Sequence, residues 1–236
     1  MKKISLGFLI FNENTNLEKT IKKANEEIKK ITNNFDIWVF DNHSTDGSKN
    51  TVKKMMKTMN CLKLLVSKEN MGYAHNFSVA ISKMKADFIF VVDGDGQYDI
   101  SDLKFAVKLL KKNHDMVFGI RKPRQDPLIR ILMSFFLNIL SKLIIKADLK
   151  DINCGFRGFN YETSKKIKIK YKYNFVNPEI FVISKLNSFR IAEMKVKHYQ
   201  RLSGVSYFDG YSKIIVNCLK MIFYLFQLRK ILKKSK

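Results

Sequence analysis

The sequence predicts an α/β fold built on a mostly parallel sheet, and three observations carry that prediction. Short apolar runs alternate with longer stretches of helical periodicity, in the order β-α-β-α-β through the first half. The central run, Phe88–Val92, has no polar interruption, as expected of a strand buried on both faces. It stops at Asp93-Gly94-Asp95-Gly96-Gln97, where acids and glycines cluster at the strand's carboxyl end. In open sheets of this kind, ligands bind beyond those ends.

Ile4–Phe11 reads as the first strand. Met1-Lys2-Lys3 and the apolar run could pass for a signal peptide, but Asn12-Glu13-Asn14 interrupts it and no small-residue cleavage pattern follows. Asn14 or Thr15 is expected to cap a helix whose apolar face is Leu17, Ile21, Ala24, Ile28 and Ile31. Phe35–Phe40 is the second strand, ending at Asp41, and the turn through Gly47 leads into a helix reaching Met59. Leu62–Val66 is the third strand, and a helix from about Tyr73 to Lys85 precedes the central one. Leu103–Lys111 is helical and Met116–Ile120 extended. The topology then sets Asn12-Glu13, Asp41–Asp46 and Asp93–Asp95 on one rim.

At Asp93-Gly94-Asp95, alternate side chains of an extended segment point the same way, so both carboxylates can face one hard cation. Mg²⁺ or Mn²⁺ suits them, and such ions are commonly completed by substrate phosphates, which implies a diphosphate-bearing substrate. A solvated turn is the competing reading, since Asp and Gly are ordinary turn residues.

The chain has 236 residues, of which 46% are hydrophobic, enough for a sizeable core and too many for general disorder. Its formal charge of +23 calls for an anionic partner, either nucleic acid or anionic lipid. Cys61, Cys154 and Cys218 form no paired-spacing metal motif, and a reducing cytosol is expected. No G-x-G-x-x-G follows the first strand, which argues against a dinucleotide-binding dehydrogenase, and no histidine spacing suggests a triad or zinc. His43 reads as a surface turn residue.

Two stretches are amphipathic. Arg130, Ser134, Asn138, Lys142 and Lys146 fall four apart between Pro127 and Ala147, on a helix otherwise made of Leu, Ile, Met and Phe. Lys213, Asn217, Lys220, Tyr224 and Gln227 trace a similar stripe near the end, followed by basic Arg229-Lys230-Ile231-Leu232-Lys233-Lys234. Neither is an uninterrupted apolar run of ~18 residues. Both are therefore expected to lie in the headgroup region of an anionic membrane, with packing on the protein or an oligomer interface as the alternative.

Four motifs in order resemble the family 2 glycosyltransferases of the GT-A fold: Ile10-Phe11-Asn12-Glu13, Asp41-Asn42-His43-Ser44-Thr45-Asp46-Gly47-Ser48, Asn70-x-Gly72-x-x-x-Asn76 and Asp93-Gly94-Asp95-Gly96-Gln97. The resemblance implies a nucleotide-sugar site made by Phe11, Asn12, Glu13, Asp41, Asn70, Gly72, Asn76, Asp93, Gly94 and Asp95, with metal held by Asp93, Asp95 and Gln97. Asn42 replaces the commoner second acid of that family, which leaves the base of the nucleotide open.

Three later stretches resemble the branch of that family that charges polyprenyl phosphates, typified by dolichyl-phosphate mannose synthase. They are Gly119-Ile120-Arg121 with Arg130 and Ser134, Asp151-x-x-Cys154-Gly155-Phe156-Arg157, and Arg201-x-x-Gly204-x-Ser206. By that resemblance Arg121, Arg130 and Ser134 hold the acceptor phosphate, and Arg201 with Ser206 closes over the donor diphosphate. Arg121, Arg130, Arg157 and Arg201 are the candidate cations, because a planar guanidinium matches phosphate. Glu193-Met194-Lys195-Val196 and Tyr207 depart from the branch's usual residues. Glu179 is an acid in the active-site region with no assigned role.

The expectation is inverting sugar transfer from a nucleotide diphosphate sugar to a polyprenyl phosphate, by a peripheral protein on the inner face of the cytoplasmic membrane. Residues 1–206 are the catalytic domain, with 127–147 an amphipathic helix within it, and 207–236 a basic C-terminal helix; the chain looks like the short kind, without paired C-terminal spans. One rival is transfer to a hydroxyl of a surface glycan. Another is nonspecific binding of nucleic acid through charge alone, for which no aromatic-basic motif speaks.

Overall fold

The computed structural model describes residues 2–170, 176–201 and 211–234. Its strands are β1 (Ile4–Ile10), β2 (Phe35–Asp41), β3 (Leu62–Val66), β4 (Phe88–Asp93), β5 (Met116–Arg121), β6 (Arg157–Asn160) and β7 (Ile191–Val196). They form one sheet in the order β3-β2-β1-β4-β6-β5-β7. All neighbours run parallel except β6, which is antiparallel to both β4 and β5. The short β6 thereby stitches the first four strands to β5 and β7.

The helices are α1 (Asn14–Lys29), α2 (Ser48–Met56), α3 (Tyr73–Lys83), α4 (Leu103–Lys111), α5 (Leu128–Ile145), α6 (Tyr161–Lys166), α7 (Val176–Leu186) and α8 (Tyr211–Lys234). In α1 the expected stripe Leu17, Ile21, Ala24 and Ile28 is buried against β1, β2 and β4, while Ile31 lies past the helix end. Capping differs from expectation. Asn14 is already helical, and its backbone N–H is taken by Asp46 Oδ2 at 2.8 Å, so a carboxylate from the next loop satisfies the orphan donor. Helix α2 ends at Met56, because Thr58 and Met59 fold back onto the Met55 carbonyl in a tightened turn.

The apolar side chains split into one cluster on each face of the sheet and a third beneath α5, α7 and α8. In the third, Ile144 and Ile145 meet Phe181, Val182, Met221, Leu225 and Leu228. Helix α8 is therefore seated on α5 and α7. The opposite side of α5 stays in solvent: Leu128, Leu132, Phe135, Phe136 and Leu143 are each more than half exposed, as are Leu219 and Phe223 of α8. By length and composition α5 is long and apolar enough to cross a membrane, although its other face is packed.

Register brings the predicted motifs together. Ile10 pairs with Asp41, and Leu9 with Asp93, so the loops after β1, β2 and β4 leave the sheet side by side.

Candidate active site

The loops after β1 and β2 are bonded mainly to each other. Asn12 adopts a positive φ of 56° and ties its backbone N–H to Ser44 Oγ at 2.9 Å, while its own Oδ1 accepts from Thr45 N–H at 2.8 Å. Asp41 is fully buried: Oδ1 accepts from Ser44 N–H at 2.8 Å, and Oδ2 has no hydrogen-bond partner among the described residues. An orphaned buried carboxylate oxygen is costly, and a nucleoside N–H or hydroxyl is the sort of donor that relieves it. Asn42 donates to Asn70 Oδ1 at 2.7 Å and accepts from Met71 N–H at 3.1 Å, which locks the third motif to the second. Gly72 opens α3 at φ 83°, a value that favours glycine. Asn76 is buried and donates to the Phe40 carbonyl at 2.8 Å, serving β2 from beneath the rim. Phe11 is exposed beside these loops.

At the end of β4, Asp93 Oδ1 accepts from the Tyr73 hydroxyl at 2.7 Å. Below it lies Arg157, fully buried, which donates through Nη2 to the Tyr73 oxygen and sits 3.8 Å from Asp93 Oδ1. Gly155 touches the same carboxylate, for a Cβ there would stand 2.0 Å from Asp93 Oδ2. Gly94 runs equally close to β1, where a Cβ would meet Ile10 Cγ2 at 2.3 Å. Burial and the Asp93 charge push the Asp95 carboxyl up to about 6. Two such oxygen donors fit a hard divalent cation. Among the described residues no group of three or more His, Cys, Asp or Glu could hold a metal ion.

Gln97 is tied both to this pair and to a later segment: its backbone N–H donates to Asp95 Oδ1 at 3.1 Å. Its side-chain amide donates to the Tyr199 carbonyl at 3.0 Å, and its backbone carbonyl accepts from Tyr199 N–H at 2.7 Å. It thus fastens the segment after β7 across the acidic loop, helped by Tyr199 Oη on Asp99 Oδ2 at 2.7 Å and Lys197 N–H on Asp102 Oδ2 at 2.7 Å. This strap carries Arg201 to Glu13, with which it is ion-paired. Burial outweighs that guanidinium, and the Asp95 and Asp46 charges add to it, so the Glu13 carboxyl is pushed up to about 7. Ser206, Gly204 and Tyr207 lie outside the described residues, as do the side chains of Lys213 and Asn217.

The predicted acceptor residues do not form an open cluster. Arg121 is clasped by Asp151, Nε to Oδ2 and Nη2 to Oδ1, both at 2.7 Å, and its Nη1 lies 3.6 Å from Asp126. Arg124 donates to the same Asp126 at 2.6 Å. Arg130 is half-buried in the first turn of α5, and its carbonyl accepts from Arg124 Nη2 at 3.5 Å. Ser134, one turn on, is buried with its hydroxyl unpartnered among the described residues. β4 and β5 both run antiparallel to β6 between them, so Asp93 and Arg121 end at the same edge of the sheet. Glu179, in α7, accepts from the backbone N–H of Lys170, in the segment after α6, at 2.7 Å.

Tyr73 and Asp126 carry much of this geometry without having been singled out in the sequence, and Asp151 and Gly155 carry it from within a motif that gave them no role of their own. For three of them a signal existed in the Asp-x-x-Cys-Gly-Phe-Arg stretch or the loop before Pro127; for Tyr73 there was only its position after Gly72.

A family model for Glycosyl transferase family 2 matches residues 5–191. The chain belongs to that family. It is 26% identical over 228 residues to the dodecaprenyl-phosphate galacturonate synthase of Rhizobium johnstonii, covering 94% of this chain and 67% of that one. It is 24% identical over 239 residues to a dolichyl-phosphate beta-glucosyltransferase of Trichomonas vaginalis, covering 94% and 73%. In fold it is similar to glucosyl-3-phosphoglycerate synthase from Mycobacterium tuberculosis in complex with Mn²⁺, UDP-glucose and phosphoglyceric acid, with a TM-score of 0.71, 13% identity, and 97% and 80% of the two chains covered. The sheet and helices above are accordingly those of a GT-A glycosyltransferase.

Proposed function

We propose that this glycosyltransferase moves a sugar, with inversion, from a nucleotide diphosphate sugar to a polyprenyl phosphate at the inner face of the cytoplasmic membrane. One observation carries the reading: Asp93 and Asp95 leave β4 at the sheet edge where β5 ends in Arg121 of the Arg121–Arg124–Asp126 cluster, and that cluster precedes an apolar helix, α5, whose outer side is bare. Names of relatives that act on dodecaprenyl and dolichyl phosphates support the acceptor class.

In this reading the donor's nucleoside lies against Phe11, Asn12, Glu13 and the orphaned Asp41 oxygen. Asn70, Gly72 and Asn76 shape that pocket. Asp93, Asp95 and the amide oxygen of Gln97 are the protein ligands of a Mg²⁺ or Mn²⁺, while the Gln97 amide nitrogen holds the strap. Bound there, the cation supplies Lewis-acid relief of charge on the leaving diphosphate. Arg201 turns from Glu13 to the diphosphate when donor enters, with Ser206 closing beside it. The lipid phosphate approaches along α5 toward Arg130 and Ser134. Arg121 sets the floor through Asp151 and reaches the phosphate only by Nη1, once Asp126 yields. A phosphate monoester is already anionic near neutral pH, so it attacks the anomeric carbon without a dedicated base, whereas a sugar hydroxyl would need one.

The exposed faces of α5 and α8 are the membrane-facing surface of this proposal, with the basic end of α8 toward anionic headgroups. Residues 1–206 then form the catalytic unit and 207–236 a basic C-terminal segment whose helix α8 docks on it. The decisive experiment supplies labelled UDP- and GDP-sugars, polyprenyl phosphate and divalent metal to purified protein and counts label in solvent-extracted lipid. Metal-dependent lipid label that Asp95→Asn abolishes is the expected result. Label that enters only an added glycan overturns the acceptor assignment.

A further inference from the structure

We infer that Tyr73 and the buried Arg157 are positioning residues that fix the Asp93 carboxylate in the orientation in which it meets a divalent cation. The inference rests on the proposed metal site and extends it to two side chains that act on it through Asp93.

Direction is built into the contact. A guanidinium has donors only, so when Arg157 Nη2 points at the Tyr73 oxygen it fills an acceptor position there. The phenolic hydrogen is left to Asp93 Oδ1, 2.7 Å away. On the other side Gly155 leaves just enough room for Oδ2, where any Cβ would stand 2.0 Å away. A short carboxylate at a partly open rim, with its side chain 32% exposed, would otherwise turn about its last torsion. Here one oxygen is bonded and the other is walled.

Packing alone does not explain Arg157. A fully buried guanidinium is costly unless its donors are met, yet Nε and Nη1 have no hydrogen-bond partner among the described residues. What it has instead is the Phe77 ring, 4.9 Å from its central carbon, and the Tyr73 ring at 5.7 Å. Its clearest polar contacts lead toward Asp93: the Tyr73 hydroxyl, and Asp93 itself at 3.8 Å. A residue that the fold satisfies so poorly is kept for what lies at the end of that chain.

The test reads metal affinity apart from turnover. Mn²⁺ is titrated into protein saturated with UDP or with GDP, and free Mn²⁺ is followed by its paramagnetic resonance signal, for wild type, Tyr73→Phe, Arg157→Met and the double variant. Nucleotide binding without metal serves as the check on folding. Each single change is expected to weaken Mn²⁺ binding roughly tenfold, with metal-free nucleotide binding unchanged. The double variant is expected to be no weaker than the worse single one, because the two side chains act in series. Wild-type Mn²⁺ affinity in either folded single variant, or losses that multiply in the double, overturns the inference alone. Wild-type protein that binds no Mn²⁺ with either nucleotide overturns the metal site and this inference together.

Discussion

Arg121 and Arg157 are both buried at the sheet rim, and the fold treats them in opposite ways. Arg121 meets Asp151 fork to fork, with two contacts of 2.7 Å and Asp126 beyond. Arg157 has a phenol, a carboxylate at 3.8 Å, the Gly155 carbonyl at 3.5 Å and, among the described residues, two nitrogens without a hydrogen-bond partner. The first is a clip that holds β5 to the 148–156 loop, since the Arg121 backbone N–H also reaches Asp151 at 3.2 Å. The second is a spare charge under the acidic loop. A buried arginine thus announces structure when its carboxylate closes both sides of the fork, and function when its donors are only partly met.

The largest effect should come from opening the clip. Asp151→Ala leaves Arg121 buried beside Asp126 alone, and unfolding in urea is expected to show a loss of about 3–5 kcal/mol. A loss below about 1 kcal/mol would break the comparison, because Arg121 would then be no more structural than Arg157.

Next in size is a change remote from both arginines. Phe135 and Phe136 are 63% and 64% exposed on the outer side of α5. Replacing both with Ser removes two side chains worth about 1.5 kcal/mol or more each on transfer to an apolar phase. Sedimentation with vesicles containing anionic lipid should show binding weakened on the order of 10²-fold, with urea stability held within about 0.5 kcal/mol. Unchanged vesicle binding would assign this face to something other than lipid.

Arg157→Met is the smaller, opposite test. It replaces a poorly met charge with an apolar chain of similar length, so stability is expected to stay level or to rise by up to about 2 kcal/mol. A fall as large as that of Asp151→Ala would make Arg157 a second clip and erase the distinction.

The distinction was only partly legible in the sequence. The first four strands and α1 to α4 follow from alternating apolar runs and 3.6-residue periodicity, which are local signals. The rim followed from topology, and the acidic pair from its glycines. Beyond Arg121 local signals still mark α5 and α8 by their periodicity, but not β6. Strand β6 has four residues, and it is a strand because β4 and β5 flank it, so no window around Arg157–Asn160 could disclose its antiparallel direction. The arginines were legible as a type but their partners were not: Asp151 stands 30 residues from Arg121, and Tyr73 stands 84 from Arg157. Side-chain pairing over such distances is written in the sheet order, as is the bond from the Gln97 amide to the Tyr199 carbonyl 102 residues away.

Glu13 and Arg201 give the intermediate case, an ion pair at the rim whose carboxyl is pushed from its ordinary 4.5 up to about 7, chiefly by burial. The folded protein therefore holds this proton more tightly than the unfolded chain. By linkage the resulting stability is full below pH 4.5, declines as pH rises, and is gone above about 7. Screened by the solvent that still reaches the pair, the change should amount to about 1–2 kcal/mol. Glu13→Gln should remove that slope from urea stabilities measured between pH 5 and 7.5 while leaving the rest of the profile in place. If the slope survives in Glu13→Gln, the proton sits elsewhere, and Arg201 is held to Glu13 as firmly as Arg121 is to Asp151. A slope that disappears instead marks a contact loose enough for an incoming diphosphate to take Arg201 away.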